Sequence, residues 1–239
     1  VIRTVYILGG SMIRKRTLTA ALAVLALVPF ANLAEAAPVL VTSRSALGGT
    51  DFLDWGILGP TGTLVPNAFT ITSSGGVEVE ISKASAGDFQ RREQAFSWTG
   101  NFEPGAPILY TNRTPGPISI DFGGLVFGGG AQIQWVQFGS FTATIEAFDA
   151  ADRSLGMFTL TGSSTPANDN SALFIGILDT AQSIARIEIG LTTDGAFAIN
   201  RFDFVGTPHR PTQISGPGTP ALIGTGLVGV AALRRRKRA

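Results

Sequence analysis

The chain has 239 residues, of which 30 are glycine, 13 proline and none cysteine. Without cysteine there are no disulfides and no thiolate metal or redox chemistry, so a folded domain must be held by its apolar core. The formal charge of +1 conceals an uneven distribution: residues 37–233 hold nine Lys and Arg against sixteen Asp and Glu, a net −7, which excludes nucleic acid as a partner because phosphate binding wants a basic face.

Residues 1–11 precede Met12 and read as an upstream extension outside the fold. Arg14, Lys15 and Arg16 then form a basic cluster, and an apolar run from Leu18 to Phe30 is broken only by Thr19 and Pro29. Ala34-Glu35-Ala36 follows, with small residues at both positions a signal peptidase reads. This order predicts a helical signal peptide over 12–36, cleaved after Ala36. The basic cluster stays cytoplasmic while the apolar stretch enters the translocon. The 13-residue run is shorter than the roughly 17–25 residues of a membrane span, which argues against an uncleaved anchor.

Residues 37–206 predict one all-β ectodomain. Phe69–Thr72 leads into the turn Ser73-Ser74-Gly75-Gly76. Val77-Glu78-Val79-Glu80-Ile81 alternates with period two, placing its apolar side chains inward and its glutamates outward. Asp88–Trp98 reads as one longer, mixed strand. Ile118–Phe122 alternates again, and Gly128-Gly129-Gly130 reads as a break. Gln132–Val136 and Phe141–Phe148 follow, with Asp149–Asp152 as a turn. Ser154–Thr161, Ala172–Leu178, Ile184–Leu191 and Phe197–Val205 complete about nine or ten strands. This spacing of strands and turns predicts a jelly-roll-like antiparallel β-sandwich.

Three kinds of chemistry come into question for that body. The single histidine, His209, lies between Pro208 and Arg210 in a linker, which leaves a Ser–His–Asp arrangement without its base. Glu78 and Glu80 share a solvated strand face, and Glu93, Glu103 and Glu146 cannot be paired from sequence, so no catalytic residues are assigned. Calcium is the candidate cofactor, with Asp149, Asp152, Asp169 and Asp203 as oxygen ligands on loops; the competing explanation is that Asp and Asn favour turns on their own account. Matrix polysaccharide is the candidate ligand. Trp55, Trp98, Phe102 and Tyr110 offer rings to stack on pyranoses, with Asn101 to bond hydroxyls and Trp135 as a further large aromatic. The competing explanation is that these aromatics fill the core.

Residues 207–220 form a Pro-, Gly- and Thr-rich linker, expected to be extended. The tail over 217–239 begins Pro217-Gly218-Thr219-Pro220 and continues with a 13-residue apolar segment, Ala221 to Leu233. It ends in the basic stop Arg234, Arg235, Arg236, Lys237 and Arg238. A helix of that length spans roughly 20 Å against a hydrocarbon core of about 30 Å, which suits transient inner-membrane insertion during export. An ordinary tail anchor, or a basic tail touching anionic lipid, is the alternative.

This tail resembles the PEP-CTERM sorting signal, in the variant written P-T-P-A, through Pro217, Thr219, Pro220 and Ala221. It lacks the glutamate of the commoner motif and inserts Gly218. The resemblance implies recognition by an exosortase-type protease and delivery to the cell surface, the outer membrane or the extracellular matrix. The body resembles the uncharacterised ectodomains that precede such tails, through Asp51–Trp55, Trp98–Phe102, Gly139–Asp149 and Phe197–Arg201; this implies a shared β fold and says little about activity, because those relatives have none assigned. Two function classes follow. One is a non-enzymatic structural or adhesive surface protein that binds polysaccharide; the other is a secreted glycoside-type hydrolase acting on the matrix.

Overall fold

The computed structural model describes residues 37–206. The segments expected to be an upstream extension, a signal peptide with Ala34 and Ala36, a linker and a sorting tail lie outside the described residues. Fifteen strands are present: β1 (Val39–Val41), β2 (Asp51–Leu53), β3 (Leu64–Val65), β4 (Ala68–Thr72), β5 (Glu78–Lys83), β6 (Phe89–Glu93), β7 (Pro107–Tyr110), β8 (Ile118–Val126), β9 (Gly128–Trp135), β10 (Gly139–Phe148), β11 (Ser154–Ser164), β12 (Leu173–Leu178), β13 (Ile184–Leu191), β14 (Phe197–Ile199) and β15 (Phe202–Val205). They form two sheets. The first runs β1-β12-β9-β14-β7-β6-β3, with β15 beside β9 and β2 beside β15; the second runs β11-β10-β13-β8-β5-β4. All the pairings between strands are antiparallel. From β3 onward the chain repeatedly crosses between sheets, which gives the jelly-roll-like sandwich its shared core.

The alternating strands fill that core as their pattern dictates. In β5, Val79 and Ile81 are buried while Glu78 and Glu80 are exposed. Ile118, Ile120, Ile145, Ile187 and Ile189 of the second sheet meet Leu109, Ile133, Ile175, Phe197 and Phe202 of the first. Each buried branched or aromatic side chain contributes about 1.5–3 kcal/mol relative to exposure.

Several local features differ from the sequence pattern. Gly128-Gly129-Gly130 is not a break but the start of β9. A Cβ at Gly128 would sit 2.3 Å from the Ile177 carbonyl oxygen, and one at Gly130 would sit 2.6 Å from the Gly176 Cα. The glycines are there because β12 and β15 approach too closely for side chains. The strand expected over 88–98 stops at Glu93, where the N–H groups of Phe96, Ser97 and Trp98 all turn back onto the Glu93 carbonyl. The strand expected over 197–205 is split into β14 and β15 at Asn200-Arg201. Short strands β1, β2, β3 and β7 were not predicted, nor was the helical turn α1 (Arg44–Leu47), capped by Ser43 Oγ.

The outer face of the first sheet is also covered. Residues 94–105 and 165–172 lie across it, and Trp98, Phe102, Ile108, Tyr110, Ala172, Ala196 and Ala198 form a second, smaller apolar cluster there. This covering layer creates the hollows described next.

Candidate functional site

Buried amides fasten the covering layer to the sheet. Gln134 on β9 accepts at Oε1 from Trp98 Nε1 (3.1 Å) and from the Asn101 backbone (3.2 Å). Gln94 donates to the Gly100 carbonyl (2.8 Å) and to Asn168 Oδ1 (2.9 Å). Asn101 donates to the Ser163 carbonyl and to Ser171 Oγ, each at 3.2 Å. At the gap between β14 and β15, the Asn200 side chain replaces missing ladder bonds. Its Oδ1 accepts from the Gln132 backbone (3.1 Å), and its Nδ2 donates to Gln132 Oε1 (2.5 Å).

On one flank of residues 94–105 lies a groove of about 370 Å³, lined by Arg92, Trp98, Thr99, Tyr110, Arg113 and Phe138, with Ser97 and Val136 at its margin. Trp98 and Tyr110 are 7 % and 5 % exposed and pack with ring centroids 5.0 Å apart, so they form the floor. The Arg92 guanidinium lies 5.2 Å over the Tyr110 ring and donates to Gln90 Oε1 and the Ser97 carbonyl, each at 2.8 Å. Phe138 is 53 % exposed and presents the open ring of the groove. Arg113 sits on a tight turn with φ of 68°, after Asn112 at 53°. Thr111 and Thr114 lock that turn by exchanging side-chain-to-carbonyl bonds of 2.7 and 2.6 Å. Among the described residues, no carboxylate lines the groove.

A second hollow of about 410 Å³ is lined by Arg44, Glu103, Gln132, Asn170, Asn200 and Arg201, among others. Its polar groups are largely committed to one another. Arg44 pairs with Asp203 and bonds Asn200 Oδ1, and Arg201 pairs with Asp203 at 3.0 Å while covering the Phe52 ring at 4.7 Å. Burial and the neighbouring Arg201 charge lower the Arg44 pKa to about 10, and Glu103 opposes that shift.

Among the aromatic candidates, the structure brings Trp98 and Tyr110 together in the groove. Trp55 is fully buried, with Nε1 donating to the Asn200 carbonyl at 2.8 Å, and Phe102 is fully buried within the covering layer, in the smaller apolar cluster. Asn101 is equally enclosed, its amide consumed by Ser163 and Ser171. These three are therefore not glycan contacts: the rings fill apolar clusters and the amide holds a loop. Trp135 packs against the main core. Arg92, Arg113, Val136 and Phe138 were missed. The adjacent Asn112-Arg113 turn and the Phe138-Gly139 step were the signals available for them.

The proposed calcium ligands do not form one site. Asp149 accepts from the backbones of Ala151 and Arg153 and pairs with the Arg153 side chain. Asp152 pairs with Arg186, and Asp169 accepts from the Ser171 backbone. Asp203 is held by Arg44 and Arg201. No three carboxylate or histidine side chains converge among the described residues. Each aspartate instead closes a turn or neutralises an arginine, the turn chemistry the residue favours. On the outer face of the second sheet, Glu146 and Glu188 stand directly opposite each other on β10 and β13. With Asp194 they line a hollow of about 180 Å³, smaller than the roughly 300–1,000 Å³ of ordinary ligand pockets. Glu188 is paired with Arg186.

No family model matches the chain, and no curated protein matches it. Among solved structures, it is similar to a DUF4465 family protein from Bacteroides caccae, at 11% identity over 70% of this chain and 99% of that one, with a TM-score of 0.34. It is also similar to CsCBM6-3 from Clostridium stercorarium in complex with cellobiose, at 11% identity over 66% and 95% of the two chains, with a TM-score of 0.24. Arabinose-bound MgGH51 α-L-arabinofuranosidase matches at 11% identity and a TM-score of 0.22, over 67% of this chain and 32% of that one. At these TM-scores none of the three bears on the site, which stands on its own geometry.

Proposed function

We propose that the chain is an exported surface or extracellular-matrix protein whose sandwich binds polysaccharide without catalysis. Its terminal segment, in this reading, is a PEP-CTERM-type signal processed by an exosortase-type protease. The observation that carries the binding half is the groove: an open Phe138 ring beside two guanidinium groups and the Thr99 hydroxyl. An aromatic face covers the apolar face of a pyranose, and the polar groups around it bond hydroxyls. The export half rests on the order of basic, apolar and small residues at 12–36 and on the motif at 217–221.

The test is to express the full chain in a host carrying the sorting protease and in one lacking it, and to measure intact mass in each fraction. The processed product is then screened against matrix polysaccharides. A product near residues 37–217 that appears only with the protease, and that binds glycan, supports both halves. Retention of Arg234–Arg238 in both hosts overturns the sorting half, and absence of any glycan binding overturns the other. The opposed Glu146 and Glu188 favour a second reading, a matrix hydrolase, because glycoside hydrolysis uses a pair of carboxyl groups and these two share one sheet face at the 180 Å³ hollow. Release of new reducing ends from polysaccharide, lost in Glu146→Gln, would favour this reading over the first.

A further inference from the structure

We propose that the groove takes an anionic sugar, with Arg113 as the residue that determines specificity; this deepens, and rests on, the glycan-binding reading above. The argument begins with charge placement. The described residues hold sixteen Asp and Glu against eight Lys and Arg, so carboxylates to neutralise an arginine are plentiful. Arg44, Arg91, Arg153, Arg186 and Arg201 are each paired with one. The two other arginines among the described residues, Arg92 and Arg113, have no such partner, and both line the one groove. Among the described residues, that groove has no carboxylate in its wall.

The backbone supplies an independent observation. Arg113 is held at φ 68°, a left-handed conformation that L-residues with a side chain adopt at a cost and that glycine would adopt freely. Strain of this kind is retained where the surroundings over-determine it, and it marks places where a side chain's position matters. Here the surroundings are the reciprocal Thr111 and Thr114 bonds, which fix the turn and so the direction from which the guanidinium leaves it.

The ligand follows from these groups. A guanidinium offers parallel N–H donors that match the two oxygens of a carboxylate, or two oxygens of a sulfate ester. Arg92 is already oriented by Gln90, Ser97 and the Tyr110 ring. Phe138 lies in the same wall and supplies the apolar contact for the sugar ring. The net −8 of the described residues acts on the ligand from a distance, and salt screens it beyond about 8 Å at physiological ionic strength. The contacts in the groove are shorter than that.

The test measures binding of the full chain to oligogalacturonate, to the same oligomer as its methyl ester, and to a sulfated galactan oligosaccharide. Calorimetry is run in about 0.15 M salt. Oligogalacturonate is expected to bind at least tenfold more tightly than its ester, which keeps the ring and removes the charge. Arg113→Gln should abolish that preference while leaving the thermal midpoint unchanged, and Arg113→Lys should restore part of it. Tighter binding of the sulfated chain would assign the anion as sulfate and sustain the proposal. Equal binding of acid, ester and sulfated chain, or an unchanged preference for the charged oligomer in Arg113→Gln, overturns the anionic specificity and leaves glycan binding standing. Failure of every charged and neutral glycan to bind overturns the reading beneath it.

Discussion

Asn200 interrupts a strand that would otherwise run from Phe197 to Val205, and Asn200→Ala tests what its side chain does there. The substitution removes the acceptor for the Gln132 backbone N–H and the donor to Gln132 Oε1. It also removes one partner of Arg44, which keeps its pairing with Asp203. Each buried polar group left without a partner costs about 1–3 kcal/mol. Gln132 cannot simply rotate its amide, because Nε2 already donates to the Asn170 carbonyl, Asn170 Oδ1 and the Ala172 carbonyl at 3.0–3.2 Å. Both residues border the 410 Å³ hollow, however, so water can reach part of the exposed polar surface. The expected loss is therefore about 2–3 kcal/mol, or roughly 5–10 °C in midpoint for a domain of this size. Urea unfolding followed by tryptophan fluorescence is a suitable assay, since the Trp55 indole bonds the Asn200 carbonyl. The urea midpoint should fall with the slope unchanged. A loss below about 0.5 kcal/mol, the range of ordinary surface substitutions, would refute the claim that this side chain closes the gap in the sheet.

Three further outcomes follow from the same reasoning. Gly130→Ala puts a Cβ 2.6 Å from the Gly176 Cα and the Ile175 carbonyl oxygen, which pushes β9 from β12; a loss of about 1–3 kcal/mol or more is expected, and an unchanged melting curve would contradict it. Burial raises the Asp51 carboxyl, but bonds from Ser73, Ser74 and the backbones of Phe52 and Gly75, at 2.5–2.7 Å, outweigh it and hold the group below 3.8. A depressed folded value stabilises above the unfolded value of about 3.9 and is lost as pH falls through the folded one. Asp51→Asn should thus cost about 1 kcal/mol at neutral pH and flatten the acid limb below about pH 4; parallel acid limbs in urea titrations would count against this. Arg113→Gly relieves the left-handed backbone and should stabilise by about 0.5–1 kcal/mol while weakening anionic-glycan binding; a lower thermal midpoint would remove the case for strain at this turn.

Period-two alternation made the second sheet legible: Val79 and Ile81, or Ala143 and Ile145, face one core and announce it in their spacing. The first sheet was harder because both its faces are covered. The β9 run GGGAQIQW is buried along nearly its whole length, so it shows no polar face, and its glycines imitate a turn. Strands of two to four residues, such as β3 and β7, carry too few side chains to display a period. At the site, Trp98 and Tyr110 were visible as large aromatics, but residue type alone does not say which ring stays open. Phe138 does, but in the sequence it stands alone beside a turn, with no pattern to mark it. Arg92 and Arg113 are 21 positions apart in sequence, and only the pairing of β6 with β7, Gln90 opposite Tyr110, brings their neighbourhoods together.

Two sets of polar side chains on the first sheet have different roles, and their hydrogen bonds separate them. Gln132, Gln134, Asn101 and Asn200 are buried, and their bonds run to the sheet, the covering loops and one another. A ligand would have to break those bonds to use them, at a cost comparable to what it gained. Arg92 and Arg113 keep donors without carboxylate partners, and Phe138 keeps an uncovered ring. Binding capacity belongs to groups whose interactions the fold leaves incomplete, because only they make contacts on association that they lacked before. The amide layer contributes indirectly: it holds residues 94–105 against the sheet, which fixes Ser97 and Trp98, and through them Arg92. Loosening that layer should weaken binding together with stability, whereas changing Arg113 should separate the two.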